Sequence, residues 1–223
     1  MTTVYPHSTD RSTAVEAGGA ATESMGGVAV VVLAILALVG VVPGALTPIA
    51  GIIFGAAFLI EGAAMAARRN DMMTAMVGTE AERVVLGGGV TVEMAAGATA
   101  IVLGILALIG ISSASLISAL LIVAGAGLIL SAGALSEFAE LRAEMAGVDV
   151  AIRRMARAAV SGAAGAQVLA GLGAVVLGIL SLIPSIPPQA ALMRVGMLVL
   201  GASLVVSGSA LSGRMLGMMR RVR

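Results

Sequence analysis

The residues of this sequence best able to do chemistry are carboxylates set in apolar surroundings. Glu61 interrupts the run IAGIIFGAAFLIEGAAMAA (49–67), seven residues before Arg68, which is about 10 Å along a helix. A carboxylate inside such a run is costly, and it points to a proton or ion pathway or to a buried polar contact. The structural alternative is a side chain near enough to the interface to be hydrated or paired with Arg68 or Arg69. Two later apolar runs carry Ser131 and Ser207 at the matching place. Glu23 and Glu93 each open an apolar run, and Gln167 opens a third. A negative charge at a helix N-terminus is favoured by the helix dipole; the functional reading of the three is a ring at the cytoplasmic mouth of the bundle, cation-selective if the axis is open. Arg194, in the outer part of the last apolar run, can snorkel to the interface, bind a lipid phosphate or pair with an acid of another subunit.

Other chemistries lack their residues. The chain has no cysteine and one histidine, His7, in a polar N-terminal stretch, so thiol nucleophiles and the ligand clusters of zinc, copper or haem iron are not expected. GGG at 87–89 lacks the Lys-Ser/Thr of a P-loop and reads as a hinge. There is no nucleophile–base pair, so the expectation is a non-enzymatic protein without cofactor or metal. A net charge of +1, no Trp and a single Tyr remove the field and the stacking platforms of nucleic-acid binders.

The elements that must position these groups are membrane helices. Of 223 residues, 59% are hydrophobic and 11% charged, far from the balance of a water-soluble domain. AILALVG (34–40), GILALIG (104–110) and GILSLIP (178–184) are versions of one heptapeptide, spaced 70 and then 74 residues apart. Glu23, Glu93 and Gln167 keep those offsets, and GA pairs at 55, 125 and 201 extend the register downstream. The reading is three tandem copies of one helical hairpin in an all-α membrane protein. Each copy is split by turn formers, Pro43-Gly44 with Pro48, then Ser112-Ser113 with Ser115, then Pro184-Ser185 with Pro187-Pro188. A hydrocarbon layer about 30 Å thick needs roughly 20 helical residues, so each copy crosses twice, near 25–42, 46–67, 93–111, 115–136, 166–183 and 189–211. The domain plan is a polar tail (1–22) read as disordered or loosely attached, hairpin 1 (23–67), a linker (68–92), hairpin 2 (93–136), an amphipathic linker helix (137–165), hairpin 3 (166–213) and a basic tail (214–223).

All 13 basic residues are arginine, a bias of GC-rich bacterial genomes. Arg68, Arg69, Arg83, Arg142, Arg153, Arg154, Arg157, Arg214, Arg220, Arg221 and Arg223 fall on the side of the termini and the linkers, while the hairpin tips carry none. The positive-inside rule then gives a bacterial inner-membrane, multi-pass protein with both termini cytoplasmic. Three hairpins of the same orientation suit a pseudo-threefold arrangement about the membrane normal.

In the second linker Phe138, Leu141, Met145, Val148, Ile152, Met155 and Ala159 recur at alternating intervals of 3 and 4. That spacing makes a helix lying under the bundle at the interface, or a docking seam for lipid, a partner or another protomer. GIIFG (51–55) and the series Gly127, Ser131, Ser203 and Ser207 offer small-residue faces for close helix packing, within the chain or between chains. Only Phe54, Phe58, Phe138 and Tyr5 are aromatic, so the interfacial anchors of a lipid-surrounded bundle are missing, and a perimeter covered by protein is expected. The recurring Gly-Ile-Leu-x-Leu-Ile-Gly/Pro with glycine-rich second helices, over residues 25–211, resembles the HdeD-like family of small bacterial six-helix membrane proteins. That resemblance implies a role in acid resistance and supplies no catalytic residues. The leading expectation is a structural or accessory subunit that packs with itself, as a homo-oligomer, or with other membrane-protein subunits. The alternatives are an HdeD-like stress protein, or a channel or carrier for protons or small solutes.

Overall fold

A computed structural model describes the backbone of residues 7–75, 80–145, 150–186 and 188–219, and the side chains of 22–66, 91–132, 162, 164–186 and 188–209. Six helices follow one another: α1 (His7–Val39), α2 (Pro43–Ala75), α3 (Glu80–Leu108), α4 (Ser113–Met145), α5 (Val150–Leu182) and α6 (Gln189–Met219). Each holds an apolar stretch long enough to cross a bilayer: Thr22–Val39, Pro43–Ala66, Thr91–Leu108, Ser113–Ala132, Ala164–Leu182 and Gln189–Ser209. These lie within a few residues of the spans expected from hydropathy. In lipid the helix is the form that pairs every backbone group within one segment. The protein is an all-α, multi-pass integral membrane protein.

Turn chemistry sets the hairpin tips. At the first tip the Gly40 N–H donates to the Ala37 carbonyl (3.2 Å) and the Val41 N–H to that of Leu36 (2.9 Å). Gly110 and Ile111 repeat the pattern on Ala107 (3.2 Å) and Leu106 (3.2 Å). Both are helix-closing Schellman turns, with Gly40 at φ 97° and Gly110 at φ 90°, a conformation glycine adopts without strain. The third tip has no glycine there. Pro184 and Pro188 stop and restart the helices instead, and the Gln189 side-chain amide donates to the Ile183 carbonyl (3.1 Å).

The helices close into a ring in chain order, with α6 packed against α1, while α2, α4 and α6 also meet in the middle. α1, α3 and α5 form the outer positions and, among the described residues, do not touch one another. The most extensive interfaces join successive hairpins, α2 to α3, α4 to α5 and α6 to α1, and not the two arms of one hairpin. Each of the three has a glycine on both sides: Gly55 with Gly97, Gly125 with Gly171, Gly201 with Gly27. A Cβ on Gly125 would come 2.5 Å from the Gly171 carbonyl oxygen, and one on Gly55 2.6 Å from that of Gly97. The backbones are therefore nearly in contact, the approach that small residues permit in lipid.

Side-chain size is sorted by helix. The outer helices bury Ala34, Ala37, Ala96, Ala100, Ala107 and Ala174 and turn Val28, Val32, Ile35, Val102, Ile105, Leu172, Val176 and Ile179 outward. The inner helices supply the bulk of the centre: Phe54, Phe58, Leu120, Leu121, Leu128, Met197, Leu200 and Leu204, all fully buried. Phe54 and Phe58 stack with ring centroids 5.4 Å apart. An apolar exterior over a filled centre is the arrangement expected when the solvent is lipid.

Several expected boundaries are corrected. Residues read as a loose tail are helical from His7 onward. The alanine-rich stretch extends an existing helix and so needs no new nucleus. α2 and α3 likewise reach through most of the first linker, to Ala75 and from Glu80. The expected amphipathic linker helix over 137–165 is divided between the end of α4, to Met145, and the start of α5, from Val150, with 146–149 outside the described residues. Val148 lies outside the described residues, as do the side chains of Phe138, Leu141, Met145, Ile152 and Met155. α6 continues to Met219, into the segment read as a basic tail.

Candidate functional site

The six polar positions read from the sequence all turn inward at one end of the bundle, away from the hairpin tips. Glu23, Glu93, Ser131 and Gln167 are at most 2% exposed, Glu61 5% and Ser207 7%. Each helix contributes one: Glu23 from α1, Glu61 from α2, Glu93 from α3, Ser131 from α4, Gln167 from α5 and Ser207 from α6.

Neighbouring helices bring several of these groups together. The Ser207 hydroxyl donates to the Glu23 carboxylate across the α6–α1 seam. Glu61 lies within electrostatic reach of both Glu23 and Glu93. A Cβ on Gly62 would sit 3.2 Å from the Cβ of Glu93, so α2 and α3 are in close contact at this level. Ser131 lies beside the Glu93 carboxyl, but its hydroxyl donates to the Leu128 carbonyl (3.2 Å). The outcome is uneven. Glu23 has a donor, whereas both oxygens of Glu61, both of Glu93 and the amide nitrogen of Gln167 are buried with no hydrogen-bond partner.

This geometry corrects the expected ring of Glu23, Glu93 and Gln167 around an axis. Those three stand on the outer helices, and the positions nearest the middle belong to Glu61, Ser131 and Ser207 on α2, α4 and α6. The polar groups form one alternating layer of outer and inner residues. Nor does the layer open onto a passage. One helical turn deeper, Phe58, Leu128 and Leu204 are fully buried and fill the centre, and Phe54 and Leu200 continue the filling a further turn on. The Glu61 side chain is buried; Arg68 and Arg69, its alternative partners, have side chains outside those described.

At the other end Ser118 and Ser181 join α4 to α5 through a buried hydroxyl pair (2.7 Å). Sequence reading passed over both, because a serine one turn inside an apolar helix carries no pattern of its own. The Gly178 carbonyl lies within reach of Ser181 (2.7 Å) and that of Ala114 within reach of Ser118 (2.9 Å), so one hydroxyl donates across the seam while the other donates to its own helix, and the pair acts as a clasp. Arg194 is partly exposed near the same end.

A bundle with this layer can hold protons or small cations on carboxylates screened from water. No group of three or more His, Asp or Glu with metal-holding geometry occurs among the described residues. No protein-family model matches the chain, and no curated protein or solved structure is significantly similar to it.

Proposed function

We propose that this membrane protein is a channel or carrier for protons or small cations, with Glu61 and Glu93 as its central binding groups. One observation carries the reading: two carboxyls within electrostatic reach of each other are buried in a membrane bundle, Glu61 with neither oxygen hydrogen-bonded and Glu93 with only the Ser131 hydroxyl beside it. An uncompensated charge in such a place costs several kcal/mol. Apolar residues of the same volume would pack the position at no such cost, so a role in packing alone gives no reason for carboxyls here. Binding and releasing an ion does.

The alternative is a structural or accessory subunit, resting on small-residue faces, the linker periodicity and the scarcity of aromatic anchors. Of these, the faces at Gly51, Gly55, Gly125, Gly127 and Gly201 are each covered by a neighbouring helix of the same chain. The filled centre favours a carrier or a gated path over a standing pore. The arginine distribution supports a bacterial cytoplasmic membrane with both termini inside.

The test is proton flux into sealed proteoliposomes containing the full chain and an internal pH indicator. Wild type should dissipate an imposed pH difference, and Glu61→Gln, verified as helical by circular dichroism, should not. A wild type without flux, or a folded Glu61→Gln variant with unchanged flux, rejects the proposal.

A further inference from the structure

Resting on that reading, we infer that the layer's occupant is a proton held between Glu61 of α2 and Glu93 of α3, and not a metal ion. The partners decide the position. Glu23 is engaged by Ser207, while Glu61 has no donor and Glu93 has only the Ser131 hydroxyl beside it, turned to the Leu128 carbonyl. Their helices touch at this level, with Gly62 against the Cβ of Glu93. A proton bonded to one carboxyl and shared with the other gives both groups a partner without any new ligand.

A metal ion asks for more than the surroundings offer. Magnesium and calcium take about six to eight oxygens, and no third carboxylate converges on the pair with metal-holding geometry. Of the nearby hydroxyls, that of Ser207 is already held on the Glu23 carboxylate. A proton requires one donor oxygen and one acceptor oxygen, which the pair supplies by itself.

The charged groups around the pair agree with this. α1 brings Glu23 and α3 brings Glu93 toward Glu61, while α4 contributes Ser131 and α6 contributes Ser207 to the layer. The other charged side chain among those described, Arg194, is at the far end of α6. Among the described side chains no cation offsets the layer.

The experiment is covalent labelling by dicyclohexylcarbodiimide of the full chain in phosphatidylcholine–phosphatidylglycerol vesicles, mapped by peptide mass spectrometry. This apolar reagent reacts with a protonated carboxyl: the acid proton moves to a carbodiimide nitrogen, the carboxyl oxygen bonds to the central carbon, and the adduct rearranges to a stable acylurea. Glu61 or Glu93 should label about tenfold more than Glu23, the factor expected from one hydrogen bond. Labelling should fall as pH is raised and be indifferent to sodium, potassium, lithium, magnesium or calcium at fixed pH. Protection by any of these cations, labelling of Glu23 equal to the pair, or no labelling of either glutamate overturns the inference. Flux that depends on Glu61 together with cation protection would leave the carrier reading standing and remove the proton. A labelled pair in vesicles without flux would do the reverse.

Discussion

The polar layer has two unlike halves on similar scaffolds. α1, α2 and α3 place Glu23, Glu61 and Glu93 there, whereas α4, α5 and α6 place Ser131, Gln167 and Ser207. Backbone geometry does not explain the difference, since the Gly55–Gly97 and Gly125–Gly171 crossings in the two halves are nearly alike. In the neutral half the serines satisfy themselves on backbone carbonyls one turn away. In the acidic half two carboxyls cannot do this, because a carboxylate has no proton to donate to a carbonyl. The same frame thus carries two serines within reach of their own backbone and one unpartnered amide nitrogen, that of Gln167, on one side, and unpartnered carboxyl oxygens on the other.

Changes that erase the contrast should have effects in proportion. The largest is expected for Ser131→Glu, which sets a further carboxyl beside Glu93. It should destabilise the bundle by about 3 kcal/mol, read as a lowered midpoint in detergent melts followed by circular dichroism at the helix band. Glu61→Met makes the acidic half more like its counterpart and should act the other way. Removing an unpartnered buried carboxyl should raise stability by about 1–3 kcal/mol, while proteoliposome flux disappears; a gain of stability with flux retained would separate the layer from transport. Ser207→Ala leaves Glu23 without its donor and should cost about 1 kcal/mol. It should also bring Glu23 carbodiimide labelling up to the level of Glu61 and Glu93. Smallest is Ser131→Ala, which loses a hydroxyl bonded to backbone. Its melt should shift by no more than about 0.5 kcal/mol, with labelling of Glu93 unaltered.

The number of helices, their spans and their turns were legible in the sequence, because long charge-free runs broken by Pro, Gly and Ser admit few other solutions in lipid. Glu23, Glu61, Glu93, Ser131, Gln167 and Ser207 could be named as a set because their spacing follows the internal offsets. Which of them would meet, and which would stand unpartnered, was not legible. The strongest contacts join successive hairpins, and nothing in a single hairpin's sequence states its neighbour's depth. The outer place of Glu23, Glu93 and Gln167 was equally hidden. It rests on alanines turned inward and larger aliphatics turned outward along α1, α3 and α5, a distinction of size that hydropathy barely registers. The linker periodicity misled in another way, since a spacing of 3 and 4 is shared by one interfacial helix and by two longer helices that meet there.

The hairpin tips have a consequence for how the chain enters the bilayer. The loops at 40–42, 109–112 and 183–188 contain no charged residue, and each carries backbone hydrogen bonds of its own. What must be carried across the hydrocarbon layer during biogenesis is therefore short, neutral and already partly satisfied. Each pair of helices can partition as a unit, without dragging an ion through lipid. The pairs then need only find one another laterally, along the glycine seams that join them.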